Sequence, residues 1–475
     1  MVSLRTIVMC LSCALVCTSL CENGISQERN SGSKPGMDEQ RSLSTRPGED
    51  WSGFLGPTGN GRSELRNAVV PWAETGPKVS WTLELGEGYC GPAVSKGRAF
   101  VFDRIAGEER LRCVRAETGE VLWEKMSPTS YVDMFGYDGG PRSSPVLCDN
   151  RVITYGAEGM LSCRRQVDGS LQWQVETGKE FHVVPNFFGV GASPVIYQKN
   201  SGSQNKLVIV QVGGSARSES PANPQRLDLV KGLDSGLVAF DLENGREVWR
   251  TSSELASYST PLLNMFDGEV RLLAWMRDRL LLIDPESGAI KDSFFWRAEE
   301  LFSVVAATPV VRAAEVLLSE TYGPGSVLLS IENDLFVERR RDSPRSRHRN
   351  SLRCHWATPV LHEGCVYGTT GRNSGDALFV CADWETGELH WKEPGLGRAS
   401  CILADGVLIV LSEFGELLLI KASKTTCEII SRCELKDRQS GGTLLNPPCW
   451  AAPVVAHGYL YVRGAGKLVC LDLMH

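Results

Sequence analysis

Residues 116–123 read Ala-Glu-Thr-Gly-Glu-Val-Leu-Trp, and this pattern, a turn glycine followed four residues later by tryptophan, recurs along the chain. It returns at 167–173 (Val-Asp-Gly-Ser-Leu-Gln-Trp), 242–249 (Leu-Glu-Asn-Gly-Arg-Glu-Val-Trp) and 384–391 (Trp-Glu-Thr-Gly-Glu-Leu-His-Trp). The glycine suits a turn position that requires a positive φ, and the tryptophan then belongs to the strand after the turn. A unit that recurs at this spacing is typical of a repeat architecture.

Each unit also begins with a recognisable opening, in which a small residue and a proline precede apolar residues. Eight openings occur, 42 to 67 residues apart, and this spacing matches the length of a four-stranded propeller blade. They are Gly91-Pro92, Ser144-Pro145, Ser193-Pro194, Thr260-Pro261, Thr308-Pro309, Thr358-Pro359, Ser400-Cys401 and Ala452-Pro453. We therefore predict an all-β fold, an eight-bladed β-propeller of four-stranded antiparallel blades.

The last unit ends one strand short, whereas an additional strand, residues 78–85, stands before the first unit. Its Trp81 precedes Trp123 by 42 residues, as a blade tryptophan would. We predict that this strand completes the eighth blade and closes the ring, which also protects the edge strands. Two units depart from the pattern, because the fourth has Asp292 in place of the tryptophan and the seventh lacks the glycine-to-tryptophan turn.

The N-terminus predicts export. Arg5 precedes an apolar run over residues 6–20, which reads as a signal peptide over 1–21 that is cleaved and is too short to span a membrane. Lipidation at Cys17 or Cys21 is the alternative, although neither follows the Leu-small-small triplet that a lipid anchor usually requires. Residues 22–50 have almost no large apolar side chains and predict a disordered linker. The propeller is expected to fill 51–475, with no transmembrane segment in the mature chain.

Composition narrows the classes of partner. The net charge of -7 argues against nucleic acid, because binding phosphates requires clustered Lys and Arg. Of the 16 cysteines, four fall within the predicted signal peptide. Cys113, Cys163 and Cys381 occupy equivalent places in different blades, so we expect them to be buried thiols rather than disulfides.

Four segments complete a resemblance to a known family: 51–61 (Trp-Ser-Gly-Phe-Leu-Gly-Pro-Thr-Gly-Asn-Gly), 86–89, 137–142 and 449–453. From about residue 51 onward the chain resembles propellers with pyrroloquinoline-quinone-type repeats, in particular the signal-bearing versions of planctomycete bacteria. The family includes quinoprotein dehydrogenases and also the propeller lipoprotein of the outer-membrane β-barrel assembly machinery, which binds peptide without a cofactor. The resemblance therefore implies the fold but leaves the activity open.

The features of the quinoprotein enzymes are largely missing. Those enzymes hold pyrroloquinoline quinone with Ca²⁺ and often carry a disulfide between adjacent cysteines, but no two cysteines are adjacent here, and there is no Cys-x-x-Cys-His haem site. Common hydrolase and nucleotide motifs are missing as well. Cys354, His355, His362 and Cys365 resemble a zinc set, but they flank the two ends of one short strand. We expect no cofactor and no metal, and no catalytic residue is assigned.

A ligand site is expected where the segments before the inner strands converge on the propeller axis. The candidate residues, which are aromatic or ionic, are Tyr89, Tyr137, Asp138, Arg142, Tyr258, Tyr322, His355, Trp356, Arg398 and Trp450, with Phe187 and Phe188 beside them. Tyr322 comes from residues 319–325, whose two glycines favour an irregular strand as the alternative to a place at the channel. Such a ring suits a planar or anionic ligand or a peptide end. The alternative is structural: the aromatic rings fill the funnel, and Arg142 and Arg398 pair with Asp138 and other acids.

Two insertions stand out. Residues 213–231 expand the third unit and predict a mobile loop over one face, and residues 338–353 hold seven arginines. We interpret the arginine-rich tract as a solvated surface. The alternative is that it binds an anion such as a phosphate, an acidic polysaccharide or an acidic protein.

The sequence favours a non-enzymatic binding or scaffold propeller of the periplasm or cell envelope, with envelope proteins or peptides as partners. The alternative function is a quinone-dependent dehydrogenase that oxidises alcohols or sugars.

Overall fold

The structure is a computed structural model. It describes residues 46–67, 69–199, 205–219, 221, 223, 225–343, 350–437 and 439–474. The predicted signal peptide and the predicted linker up to residue 45 lie outside these residues. In the described part, the strands form eight four-stranded antiparallel sheets. The prediction of an all-β, eight-bladed propeller is therefore confirmed.

The first four blades follow one another along the chain. Blade 1 contains β2 (Ala93–Ser95), β3 (Arg98–Ile105), β4 (Glu108–Arg115) and β5 (Val121–Pro128); blade 2 contains β6 (Val146–Cys148), β7 (Arg151–Tyr155), β8 (Met160–Arg165) and β9 (Leu171–Glu176); blade 3 contains β10 (Val195–Gln198), β11 (Lys206–Gln211), β12 (Leu237–Asp241) and β13 (Glu247–Thr251); blade 4 contains β14 (Leu262–Phe266), β15 (Glu269–Trp275), β16 (Arg279–Ile283) and β17 (Ile290–Phe295). Helix is limited to α1 (Thr177–Glu180) and two short 3₁₀ turns, Arg217–Glu219 and Leu227–Leu229, in the described residues.

The remaining blades repeat this order, and the last one borrows the first strand of the chain. Blade 5 contains β18 (Val310–Arg312), β19 (Glu315–Glu320), β20 (Gly325–Glu332) and β21 (Leu335–Arg341); blade 6 contains β22 (Val360–His362), β23 (Cys365–Thr370), β24 (Leu378–Asp383) and β25 (Leu389–Pro394); blade 7 contains β26 (Ser400–Ala404), β27 (Val407–Leu411), β28 (Glu416–Lys421) and β29 (Ile429–Glu434); blade 8 contains β30 (Val454–Ala456), β31 (Tyr459–Gly464), β32 (Lys467–Asp472) and β1 (Lys78–Glu84).

The burial of the strands explains their sequences. The second and third strands of each blade lie between two neighbouring sheets, so they are continuous apolar runs such as β27, in which four of five residues are buried. The outermost strands have one exposed face and alternate instead, as in β13, where Trp249 is buried between exposed residues.

The ring closes as the sequence predicts. Strand β1 pairs antiparallel with β32 from Lys78 opposite Asp472 to Glu84 opposite Lys467. Trp81 therefore occupies the outer strand of blade 8, at the place that tryptophans hold in other blades.

The repeated tryptophans lie at the boundaries between blades. The indole of Trp81 packs on Gly119 of blade 1, whose added Cβ would lie 2.7 Å from the ring, and donates a hydrogen bond to the carbonyl of Ala116 at 2.9 Å. Equivalent bonds join Trp123 to Gln166 (2.9 Å), Trp173 to Leu242 (2.8 Å), Trp249 to Pro285 (3.1 Å) and Trp391 to Ser423 (2.8 Å). At the fourth boundary, Asp292 replaces the tryptophan and accepts a bond from the Phe336 amide at 2.7 Å.

The segment before β1 crosses the end of the ring that lies away from the inner-strand openings. We name residues 46–63 the strap. The strap pairs with Val94 of blade 1 through Trp51 (2.8 Å in both directions), and the amide of Leu403 in blade 7 donates to the carbonyl of Gly61 at 2.8 Å. Gly59 meets Leu262 of blade 4, where an added Cβ would lie 2.9 Å from the leucine side chain. The strap thus spans the axis and touches opposite sides of the ring.

The packed chain begins inside the stretch that the sequence assigns to the linker. Arg46 donates to the Asp472 carboxylate at 2.7 Å and lies over the Tyr459 ring at 4.0 Å. Asp50 accepts bonds from Ser95 (2.6 Å) and pairs with His457 (2.9 Å). Residues 46–50 therefore belong to the propeller, because they anchor the strap to blades 8 and 1.

The two insertions differ in how they are held. In the described part of 213–231, Leu227 and Val230 are buried and pack on Phe187 and Val304. This insertion is therefore packed against the propeller, and the prediction of a mobile loop is wrong for these residues. Of the arginine-rich tract, Arg339, Arg340 and Arg341 belong to β21, and Arg353 is buried. Residues 344–349 lie outside the described part.

Candidate functional site

A cavity of about 690 Å³ lies at the centre of the ring. Its side walls come from the segments that enter the inner strands, and its bottom is formed by Trp51, Gly53, Phe54 and Leu55 of the strap. We name this cavity the cup and its open end the mouth. Because the strap closes one end, the channel of the ring is a blind pocket of the size that holds a small ligand.

Nine of the ten candidate residues line the cup. They are Tyr89, Tyr137, Arg142, Tyr258, Tyr322, His355, Trp356, Arg398 and Trp450. Asp138 does not line it, because its carboxylate accepts the backbone amides of Gly88 (3.0 Å) and Gly140 (3.2 Å) and holds the turn at the entrance of blade 2.

Sequence reasoning missed the bottom of the cup and part of its wall. Phe135, Phe302, Arg372 and Asn373 also line the cavity. Arg372 and Asn373 follow β23 and therefore lie on a hairpin, whereas the repeat pattern points mainly to segments before inner strands. Tyr322, which follows β19 in the same way, shows that this second set of loops faces the mouth as well.

Arg142 is held in an ion pair at the wall of the cup. Its Nη2 donates to the Asp133 carboxylate at 2.9 Å and to the Asp138 carbonyl at 3.2 Å. The guanidinium lies 5.4 Å from the ring centre of Tyr89 and 5.7 Å from that of Phe188. The acid that pairs with Arg142 is thus Asp133, and the Asp138 side chain takes no part in the pair.

Arg398 and Trp450 share one buried carboxylate. Glu413, which is 4% exposed, accepts bonds from Arg398 Nε at 3.0 Å and from Trp450 Nε1 at 2.8 Å. Burial alone would raise the pKa of Glu413, but the bonds from Arg398 and Trp450 lower it to about 2, so the pair is ionised. The Arg398 guanidinium also lies over the rings of Trp356 (4.5 Å) and Trp450 (4.9 Å).

His355 is a neutral side chain in a cationic neighbourhood. Its Nε2 forms a hydrogen bond with the Tyr322 hydroxyl at 2.9 Å, and its Nδ1 is buried without a partner among the described residues. Burial and the charges of Arg398 and Arg372 lower the pKa of His355 to about 3. Burial likewise raises the pKa of Tyr322 to about 12. Neither group changes its charge near neutral pH.

The rings of the cup form a continuous belt. Trp450 contacts Tyr89, Tyr137 and Trp356 with centroids 4.9, 5.8 and 5.0 Å apart, and Trp356 contacts His355 at 4.4 Å. On the opposite arc, the belt is carried by phenylalanines, in which Phe135 meets Phe188 at 5.5 Å. These tilted contacts fix the rings against one another and leave their edges and faces toward the cavity.

Ca²⁺ and pyrroloquinoline quinone are the cofactors that a quinoprotein enzyme would need. Among the described residues, three arginines but no carboxylate line the cup, and no group of three His, Cys, Asp or Glu is placed to hold a metal. Ca²⁺ takes oxygen ligands, with carboxylates prominent among them, so the donor set of the cup does not fit this cation.

The fold and the site together define a class: a β-propeller with one closed end, whose open end presents an aromatic and arginine-lined cup. The family described as "Outer membrane protein assembly factor BamB" matches residues 66–228 and 218–430. The chain therefore belongs to this family.

Known proteins share this fold at low sequence identity. Outer membrane protein assembly factor BamB of Moranella endobia (strain PCIT) is 22% identical over 250 residues, which cover 48% of this chain and 58% of that protein. The crystal structure of BamB from Moraxella catarrhalis has a TM-score of 0.53 at 15% identity and covers 84% of this chain and 98% of that one. The crystal structure of the quinohemoprotein alcohol dehydrogenase from Comamonas testosteroni has a TM-score of 0.60 at 11% identity and covers 90% of this chain and 80% of that one.

In the part of the chain that the structure describes, no helix has the length and hydrophobicity needed to cross a membrane.

Proposed function

We propose that this protein is a non-enzymatic binding propeller of the cell envelope, which takes up part of a protein partner at its mouth. The observation that carries the proposal is the closed cup with apolar rings exposed at its rim. Phe135, Tyr137 and Phe302 are 42%, 47% and 40% exposed, although large aromatic side chains are usually buried. Exposed aromatic residues beside arginines are typical of binding hot spots.

The family supports the proposed compartment and the proposed class of partner. Its description names an outer-membrane assembly factor, and such a role requires export and contact with other envelope proteins. The wall of the cup supports binding over catalysis for two reasons. Arg142 and Arg398 are paired with Asp133 and Glu413. His355 and Tyr322 do not change their charge near neutral pH.

The proposal can be tested by site-specific photocrosslinking in intact cells. A photoreactive phenylalanine analogue replaces Phe302 at the rim or, as a matched control, Phe295 on the outer strand of blade 4, which is 58% exposed. We expect a discrete adduct with an envelope protein from position 302 and none from position 295. Equal labelling at both positions, or none at 302, would contradict the proposal.

A second experiment addresses the dehydrogenase. The purified protein is incubated with pyrroloquinoline quinone and Ca²⁺, desalted, and assayed for quinone absorbance and for dye-linked oxidation of alcohols and sugars. We expect neither retention nor turnover, because the lining of the cup, as far as the structure describes it, has three arginines and no carboxylate to bind Ca²⁺. Retained quinone together with turnover would overturn the binding proposal.

A further inference from the structure

The wall of the cup divides into two arcs of different chemistry. The first arc, which we name the phenylalanine wall, consists of Phe135, Phe187, Phe188, Tyr258, Phe302 and Val304 and enters blades 2 to 5. The second arc, the arginine wall, consists of His355, Trp356, Arg372, Arg398 and Trp450 and belongs to blades 6 to 8. Because the blades follow one another around the ring, the two arcs face each other across the axis.

The phenylalanine wall is mostly apolar, and its one guanidinium in the described lining, Arg142, lies 5.7 Å from the Phe188 ring and is paired with Asp133. Phe187 is 2% exposed and packs on Leu227 and Val230 of the insertion, whereas Phe135 and Phe302 extend outward over the mouth. Phe302 meets Phe187 with centroids 5.9 Å apart, and Phe135 meets Phe188 at 5.5 Å. The polar hydroxyl of Tyr258 is occupied, because it accepts the Phe188 amide at 2.9 Å.

The arginine wall keeps hydrogen-bond donors for an incoming group. Arg398 uses Nε and Nη2 on Glu413, and its Nη1 donates to no residue in the described part of the chain. Arg372 lies over Tyr322 at 4.3 Å and forms an exposed ion pair with Glu300 at 3.0 Å. The acids that partner these arginines do not line the cup, so the cavity itself faces cationic groups.

On the basis of the function proposed above, we infer that the cup binds an amphiphilic carboxylate: an apolar chain or ring that ends in a carboxylate. The carboxylate lies at Arg372 and Arg398, since a guanidinium binds it through paired charged hydrogen bonds. The apolar part lies on the phenylalanine wall and leaves over the rim, which removes it from water. Such a group is found both in a free fatty acid and at the carboxyl terminus of a protein.

The test is isothermal titration calorimetry of the purified full chain with dodecanoate below its micelle concentration. Dodecanol and dodecyltrimethylammonium serve as uncharged and cationic probes of equal length. We expect dodecanoate to bind at least tenfold more tightly than either. Equal binding of dodecanol, or tighter binding of the cation, would overturn the inference.

A parallel titration separates the two sources of the carboxylate. A short apolar peptide ending in leucine is compared with the same peptide as its carboxyl-terminal amide. Binding of the acid but not of the amide, without binding of dodecanoate, assigns the cup to protein termini. Binding of neither dodecanoate nor the peptide acid overturns the inference, while the crosslink at Phe302 would still report on the proposed function.

Variants assign the two ends of the ligand. Arg372→Gln should weaken whichever carboxylate binds by about tenfold and leave dodecanol unchanged, and it should fold because its partner Glu300 is 52% exposed. Phe302→Ser should weaken dodecanoate and dodecanol alike. Arg341→Gln on β21, which also removes an exposed ion pair, is the matched control and should change neither. An unchanged affinity of Arg372→Gln would contradict the placement of the carboxylate.

Discussion

The two ends of the central channel are built from different materials. The closed end is held mainly by backbone: the strap adds hydrogen bonds to the inner strands of blades 1 and 7, meets blade 4 through a glycine, and buries the Trp51 side chain. The open end consists of aromatic and arginine side chains, and carboxylates outside the cavity pair with the arginines. Backbone pairing stabilises the ring, whereas side chains with remaining donors and exposed faces can bind a ligand. The comparison predicts that substitutions at the closed end change stability and those at the rim change binding.

The largest effect is expected at the closed end. Trp51 is 1% exposed, so Trp51→Ala should lower the free energy of unfolding by about 3–5 kcal/mol, through lost burial and the remaining void. Denaturant titration followed by circular dichroism measures this loss. A loss below about 1 kcal/mol would show that the strap is dispensable, and the comparison between the two ends would fail.

The next effect tests the support behind the arginine wall. Glu413→Ala should lower the free energy of unfolding by about 3 kcal/mol, because Arg398, whose side chain is only 16% exposed, would lose the carboxylate that pairs with it. Glu416→Ala, which breaks the exposed pair with Arg432, is the matched control and should cost less than about 1 kcal/mol. Equal losses in the two variants would mean that the Glu413–Arg398 pair contributes no more to stability than an exposed ion pair.

The same carboxylate gives a pH dependence. Since the pKa of Glu413 is lowered in the folded protein from 4.5 to about 2, its contribution to stability is complete above pH 4.5. That contribution should be lost as the pH falls from 4.5 toward 2, when protonation breaks the pair with Arg398. Denaturant titrations at several pH values should therefore show the wild type and Glu413→Gln converging over this range. A constant difference would contradict the assignment.

A smaller effect is expected where the strap is anchored. Arg46→Ala should lower the free energy of unfolding by about 1 kcal/mol, because the pair with Asp472 is partly exposed although it is supported by the Tyr459 ring. Amide hydrogen exchange should at the same time be faster at Trp51 and Val94. Unchanged exchange there would show that the strap is held by its backbone bonds alone.

The smallest change in stability is expected at the rim. Tyr137 is 47% exposed, so Tyr137→Ala should alter the free energy of unfolding by no more than about 0.5 kcal/mol. If the rim is a binding surface, the photocrosslink from position 302 should nevertheless decrease. A stable variant that retains the full crosslink would exclude Tyr137 from the contact.

The parts of the molecule that repeat were predictable, because each blade solves the same packing problem with the same residues. The eight openings, the turn glycines and the closing strand with Trp81 follow from that periodicity. The strap was not predictable in this way, since residue 51 pairs with residue 94 and residue 61 with residue 403, and neither contact recurs.

The location of the site was predictable, but the ion-pair and hydrogen-bond partners of its residues were less so. Residues before the inner strands meet at the mouth because all blades enter from the same end. Which acid holds Arg142 depends instead on the local turn, in which the Asp138 side chain binds backbone amides and only its carbonyl reaches the arginine. Arg372 was missed because it lies on a hairpin outside the repeated pattern.

The closure of the ring by β1 and β32 sets an order of events during synthesis of the chain. Strand β1 emerges among the first described residues and its partner among the last, so blade 8 cannot be completed until β32 has been made. Until then, β1 has an unpaired edge that could join another chain, and the strap has no blade 7 to bind. A chain truncated before β32 should therefore lack a closed ring however well its earlier blades fold, so closure of the ring reports that synthesis has reached β32.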